Sequence, residues 1–156
     1  MPLYILSFKA ELENIGKLTF PESHEWILDF QSASSDEVRK GVRVTSSEEV
    51  EMPNTRASAN VCLTFKDAIK SVASISVSSL KDVTRNHYLA DDSGKFVPIV
   101  AFECRGAFPI SWTPSGFYSA DAFNSVDVSS GEWYDVDPVS CESVSISAVE
   151  WKIDRK

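Results

Sequence analysis

A chain of 156 residues is long enough for one domain, spanning 1–156, that buries roughly 68–70% of the surface an unfolded chain exposes. A hydrophobic content of 43%, with nine Phe, four Trp and four Tyr, excludes a disordered or low-complexity class. Fifteen basic residues stand against 23 acidic ones, and a net charge of -8 without a basic cluster repels phosphate backbones and anionic lipid, so the expected partners exclude nucleic acid and membrane and include a basic protein or a cation.

Residues 3–13 alternate, with Tyr4, Leu6, Phe8, Ala10 and Leu12 on one face and Ser7, Lys9, Glu11 and Glu13 on the other, the pattern of a half-buried strand. Asn14-Ile15-Gly16 breaks it. A second strand follows Pro21 and directs Trp26, Leu28 and Phe30 inward, Asp29 and Gln31 outward. Residues 32–58, rich in Ser, Thr and acidic side chains around Val42/Val44 and Val50/Met52, read as loop with brief strands. Alternation returns at Val61, Leu63 and Phe65, and again at Ala73, Ile75 and Val77. The opposing Ser74, Ser76 and Ser78 read as a solvated face or a sheet edge. Between these strands, Lys66 to Lys70 reads as one helical turn or a tight connection.

Asp91-Asp92-Ser93-Gly94-Lys95 signals a turn. From Phe96 to Ala101 both faces are apolar, as expected of a central strand covered on both sides. Its continuation, Phe102-Glu103-Cys104-Arg105-Gly106, is the stretch around which the chain is organised. Val126 and Val128, a turn at Ser129-Ser130-Gly131, and Trp133-Tyr134 follow. In the last segment Val144, Ile146 and Ala148 share one parity and Val149, Trp151 and Ile153 the other, so the phase change at 148–149 predicts a β-bulge. No 3.6-residue period persists over ten residues. The fold class is therefore all-β, a sandwich or irregular barrel of antiparallel strands. An echo of Leu6–Ala10 and Ser23–Trp26 in Val100–Cys104 and Ser130–Trp133 raises two similar halves; alternating strands also resemble one another by chance.

Cys62, Cys104 and Cys141 are odd in number, widely spaced and without a CxxC pair, a usage that points to a reducing compartment. Met1 to Leu6 is apolar but too short for a signal-peptide core, and no run approaches the roughly 20 residues that span a bilayer. The expected location is the cytoplasm, with the nucleus open to a chain of this size.

Three stretches taken together resemble the eukaryotic CXXC-motif-containing zinc-binding proteins, a family of small cytosolic all-β proteins. They are Phe8-Lys9-Ala10-Glu11-Leu12-Glu13-Asn14-Ile15, Phe102-Glu103-Cys104-Arg105-Gly106, and Glu132-Trp133-Tyr134-Asp135 with Glu142-Ser143-Val144-Ser145-Ile146. They occur in order over nearly the whole chain. The resemblance implies two CxxC pairs holding one zinc ion. Counted from the flanking residues, those pairs fall at Ser32 and Ser35 and at Phe65 and Ala68, so all four ligand positions differ. Structural zinc takes four ligands, commonly thiolates at about 2.3 Å. A hydroxyl does not ionise near neutral pH, and phenylalanine and alanine carry no donor. Zinc is therefore expected to be absent as a cofactor, and Phe65, continuing the Val61/Leu63 face, is expected to plug the former knuckle.

Four further positions carry possible binding chemistry. Glu103 and Arg105 are two apart on an extended segment and share a face, so they form either a recognition pair for a polar ligand or a structural ion pair. Trp112 and Trp133 either flank a groove or belong to the core. Cys104 faces away from Glu103 and Arg105, as a core thiol does. His24 and His87 read as surface residues outside any catalytic context, so no catalytic residue is assigned. Asp127, Glu132, Asp135 and Asp137 read as a solvated acidic turn. The function expected from all this is a non-catalytic, zinc-free protein-interaction module with a partner of basic character. The alternative is a metal-handling protein that uses a remnant site of Cys62, Cys104 or Cys141.

Overall fold

The computed structural model describes residues 2–52, 56–66, 72–116 and 118–156. In chain order the strands are β1 (Leu3–Glu13), β2 (Lys17–Thr19), β3 (Trp26–Ser32), β4 (Val38–Val44), β5 (Val50–Glu51), β6 (Ser58–Ala59), β7 (Val61–Leu63), β8 (Ala73–Ser78), β9 (His87–Leu89), β10 (Val97–Arg105), β11 (Ala107–Thr113), β12 (Tyr118–Ala120), β13 (Phe123–Val126), β14 (Trp133–Val136) and β15 (Ser143–Arg155). A six-stranded sheet runs β14-β15-β1-β10-β8-β7, a three-stranded sheet β11-β3-β4, a four-stranded sheet β13-β12-β2-β9, and β5 pairs with β6. All the pairings are antiparallel. The all-β expectation holds. No helix among the described residues is long and apolar enough to cross a membrane.

The six- and three-stranded sheets face each other, and the alternation of β1 and β3 supplies the packing between them. Leu6, Phe8 and Ala10 of β1 and Leu28 and Phe30 of β3 have no exposed surface. Across the gap the Trp26 ring meets Phe102 edge-on at 6.2 Å, and Phe8 meets Trp112 at 6.4 Å. The four-stranded sheet closes one end of this core, where Phe20 and Tyr88 stand edge-on to Phe8 at 5.2 and 5.1 Å. Such ring pairs add to the roughly 1.5–3 kcal/mol that burying each large apolar side chain contributes. The chain passes from one sheet to the other in a single residue. Gly106, with φ +80°, lies between β10 and β11, and a Cβ there would come within 3.2 Å of Ala73 Cα.

Three of the five register shifts among the described strands bear on the sequence pattern. In β15 the pairing shifts between Lys9↔Glu150 and Glu11↔Ser147, and Ala148 takes φ +51°, as the phase change predicts. In β10 the shift between Leu6↔Val100 and Ser7↔Pro98 places Ile99 and Val100 both in the core, which is why that stretch is apolar on both parities. The third explains an element the sequence conceals. Val42 and Val44 end a seven-residue strand, β4, whose alternation is interrupted by a bulge opposite Asp29, where Gly41 has φ +66° and donates its N–H to Asp29 Oδ1 at 2.9 Å.

Two expectations are corrected. The serine face of β8 is not a solvated edge: β8 lies between β10 and β7, Ser74 is buried, and Ser76 and Ser78 are half-buried. The internal echo does not extend to equivalent places, since Trp26 opens a strand of the three-stranded sheet and Trp133 opens the edge strand of the six-stranded one. The Lys66–Lys70 connection falls, from 67 onward, outside the described residues.

His24 is a third correction, because it is a core residue and not a surface one. It is 6% exposed, its ring lies 4.6 Å edge-on from Trp26, and its Nε2 is 3.4 Å from the Tyr118 hydroxyl. Burial lowers its pKa from 6.5 to about 4. In that interval the unfolded chain takes up a proton that the folded chain resists. The stability this neutral imidazole supports is therefore complete above pH 6.5 and is lost as pH falls toward 4, at up to about 1.4 kcal/mol per pH unit. Urea denaturation between these pH values is expected to show a steeper loss for the wild type than for His24→Gln. Equal slopes would contradict a neutral buried imidazole.

Candidate functional site

The positions at which the resemblance places zinc ligands lie where the β3–β4 turn meets the segment after β7. Ser32, the last residue of β3, is buried and pairs with Ala107 of β11. Its hydroxyl is committed locally, accepting from Ser34 N at 3.2 Å and sharing a hydrogen bond with Ser34 Oγ at 3.2 Å. Ser35 Oγ accepts from Glu37 N at 3.2 Å. Phe65 is 3% exposed and belongs to the hydrophobic core. Ala68 lies outside the described residues. Two hydroxyls turned to their own loop and a buried phenyl ring are not a donor set for zinc.

The two segments are nevertheless joined. Lys66 N donates to Glu37 Oε1 at 2.8 Å, and Arg39 Nη1 donates to the Thr64 carbonyl at 3.0 Å. Ala33 N donates to the Gly106 carbonyl at 3.0 Å, tying the same turn to the corner between β10 and β11. Glu37 and Arg39 were not singled out by the sequence. A carboxylate and a guanidinium in a polar stretch look like any solvated pair, and only the spatial neighbour, 29 residues away for Glu37, gives them a role.

Phe102 to Gly106 lies in and just beyond β10, as the organising strand of the six-stranded sheet. Cross-strand partners share a face, so Glu103 stands beside Leu3 and Ser76, and Arg105 beside Ser74, on the side away from the core. Glu103 is half-buried and Arg105 is exposed. Cys104 points inward, 1% exposed, and burial pushes its thiol pKa up to about 12. A thiol so raised is a poor nucleophile at neutral pH. An open groove of about 450 Å³ lies at this end of the sheet, lined by Pro2, Tyr4, Ala33, Gly106, Phe108 and Arg155 among others.

Trp112 and Trp133 do not flank a common groove. Trp112 is 3% exposed in the core, 6.0 Å from Trp26, and its Nε1–H has no hydrogen-bond partner among the described residues. Trp133 is half-buried at the sheet edge, edge-on to Phe123 at 5.1 Å. The three cysteines do not converge either. Cys62 pairs with Ser74 and shares the face of Arg105, opposite to that of Cys104. Cys141 lies in the β14–β15 connection, four to five strand spacings from β7, or roughly 19–24 Å along the sheet. The remnant cysteine site is thereby corrected: these sulfurs cannot share an ion. No group of three or more His, Cys, Asp or Glu side chains among the described residues is placed to hold a metal.

Comparison with known proteins accounts for this geometry. The sequence profile described as "CXXC motif containing zinc binding protein, eukaryotic" matches residues 5–154. The chain is 30% identical to the CXXC motif containing zinc binding protein of Xenopus laevis, with 99% of each chain covered. It is likewise 30% identical to that of Homo sapiens, with 92% of each covered. Among solved structures, a hypothetical protein from Plasmodium falciparum superposes with a TM-score of 0.90 at 23% identity, covering 99% of this chain and 100% of the other, which shows a shared fold. The structure titled C1orf123 superposes with a TM-score of 0.85 at 26% identity, covering 99% of both chains. With its profile and its relatives in agreement, and with no CxxC pair in its sequence, the chain belongs to the eukaryotic family of CXXC motif containing zinc binding proteins.

Proposed function

We propose that this chain is a zinc-free, non-catalytic member of its family that works as a protein-interaction module in the cytoplasm. The observation that carries the reading is the chemistry at the family's ligand positions. Where the resemblance requires thiolates, Ser32 and Ser35 turn to their own loop and Phe65 enters the core, while Glu37 and Arg39 hold the two segments together. The non-catalytic part is supported by the state of the nucleophile and base candidates. Cys104 is buried with a raised pKa, and His24 is enclosed by rings with a lowered one. The interaction part is supported by the net charge of -8, which favours a protein partner of basic character over nucleic acid or anionic membrane.

Zinc in a structural site contributes folding free energy directly. In this chain that contribution falls to Phe65 and to the contacts of Glu37 and Arg39. Phe65→Ala is expected to destabilise by about 3–5 kcal/mol, the cost of emptying a phenyl site in a core. Glu37→Ala is expected to cost about 1 kcal/mol, since Lys66 N–H is exposed and water replaces the lost acceptor. Urea denaturation measures both. A Phe65→Ala variant within about 1 kcal/mol of the wild type would remove the apolar plug from the account.

The interaction reading is tested by affinity capture with the full chain at low and moderate salt. The expected result is a reproducible set of proteins of basic character, lost as salt rises. A chain that retains nothing beyond an equally acidic control, or a substrate turnover abolished by Cys104→Ala in a still-folded protein, would overturn it.

A further inference from the structure

The charge of this chain is not evenly spread. Residues 106–151 contain Asp121, Asp127, Glu132, Asp135, Asp137, Glu142 and Glu150 and no lysine, arginine or histidine, so this stretch holds nearly all of the net -8. Within it, three of the seven large hydrophobic side chains that are exposed among the described residues fall on six consecutive positions: Tyr134 at 62%, Val136 at 53% and Val139 at 92%. Apolar surface of this kind, rimmed by charge, marks interaction sites.

That segment is also a sheet edge. β14 ends the order β14-β15-β1-β10-β8-β7, so among the described residues one side of its backbone has no strand beside it. The direction of its hydrogen bonds follows from the register. Asp137 N donates to the Glu142 carbonyl at 2.9 Å, and in an antiparallel ladder bonded and non-bonded pairs alternate. Asp135 and Trp133 therefore bond to β15, while the N–H and C=O groups of Tyr134 and Val136 point to the open side. The side chains of these two residues lie on the face that carries Ser143, Ser145 and, one strand further, Glu13. Together with Asp135 and Val144 these residues line a shallow groove of about 320 Å³. The Val136 N–H is covered in the free chain by the Asp135 carboxylate at 2.7 Å.

We infer that the open edge of β14 docks an extended segment of a partner protein in which basic and apolar residues alternate, by addition of that segment as a seventh strand. This rests on the interaction reading and gives it a surface and a partner chemistry. The incoming backbone takes up the groups of Tyr134 and Val136, its apolar side chains cover those two residues, and its basic side chains project to the opposite face, where they meet Asp135. Asp135 exchanges its hold on the Val136 N–H for a cation of the arriving strand. A second copy of the chain is disfavoured as occupant, because pairing two such edges sets carboxylates against carboxylates without a cation from this region.

The test is a titration of the isotopically labelled full chain with a capped peptide of about eight alternating lysines and valines, followed by amide shifts and exchange. The expected result is perturbation centred on residues 133–137 with slowed exchange of the Tyr134 N–H. Affinity should fall at least about tenfold when alternate valines are replaced by proline, which keeps the charge and blocks strand pairing, and by a similar factor in the Tyr134→Lys/Val136→Lys variant. Both positions are largely exposed, so that variant is expected to fold as the wild type does. Perturbation centred elsewhere, equal binding of the proline-interrupted peptide, or self-association of the chain through β14 in sedimentation would overturn the inference. A Tyr134→Lys/Val136→Lys chain that keeps all its salt-sensitive partners would overturn the edge assignment and leave the interaction reading standing.

Discussion

The structure depends on holding the β3–β4 turn against the segment that follows β7. That junction joins the three-stranded sheet to the far edge of the six-stranded one, and it holds Ser32, Ser35 and Phe65, three of the positions that the sequence resemblance assigns to ligands. In the zinc-free protein proposed above, the junction is made of weaker parts. A buried phenyl ring supplies hydrophobic free energy, a carboxylate accepts one backbone N–H, and a guanidinium reaches one carbonyl. None of these is as strong as a metal-thiolate bond, but none requires four ligands to assemble at once. The same turn also bonds to the Gly106 carbonyl, so the corner between β10 and β11 is positioned from the same place.

The rest of the core can tolerate this arrangement because it is built from rings drawn from all three main sheets. Phe8, Phe20, Trp26, Tyr88, Phe102, Trp112 and Tyr118 form a connected set of edge and tilted contacts, with His24 enclosed at one side. Polar atoms within it are mostly satisfied. The Tyr88 hydroxyl, fully buried, lies 2.7 Å from the Lys95 carbonyl and 3.1 Å from that of Ala10, and so links β9 to β1 and the turn before β10. What remains chemically distinctive on the outside is the acidic, basic-free surface contributed by residues 106–151.

Much of the fold was legible in the sequence because two-residue alternation survives burial on one face. β1, the inward set of β3 and the bulge in β15 can all be read from parity alone. β4 was not legible, since a bulge at Gly41 breaks its alternation and Arg39, Lys40 and Arg43 give it the composition of a loop. The serine face of β8 was misread because parity says which side a residue takes and not what lies beside it. His24 was misread for a related reason: a histidine ahead of a strand carries no sign that Trp26 and Tyr118 will enclose it. Of the candidate site, the four ligand positions could be placed only through the family resemblance. Glu37 and Arg39 depend on contacts 29 and 25 residues away, which no local pattern encodes.

The claim on which the account stands is that the junction of the β3–β4 turn with the segment after β7 is closed without metal. Metal analysis of the chain purified from zinc-containing medium, combined with thermal unfolding before and after chelation, tests it most directly. The account predicts far less than one zinc per chain and an unfolding midpoint that the chelator leaves unchanged. One zinc per chain, with unfolding brought on by its removal, would contradict it.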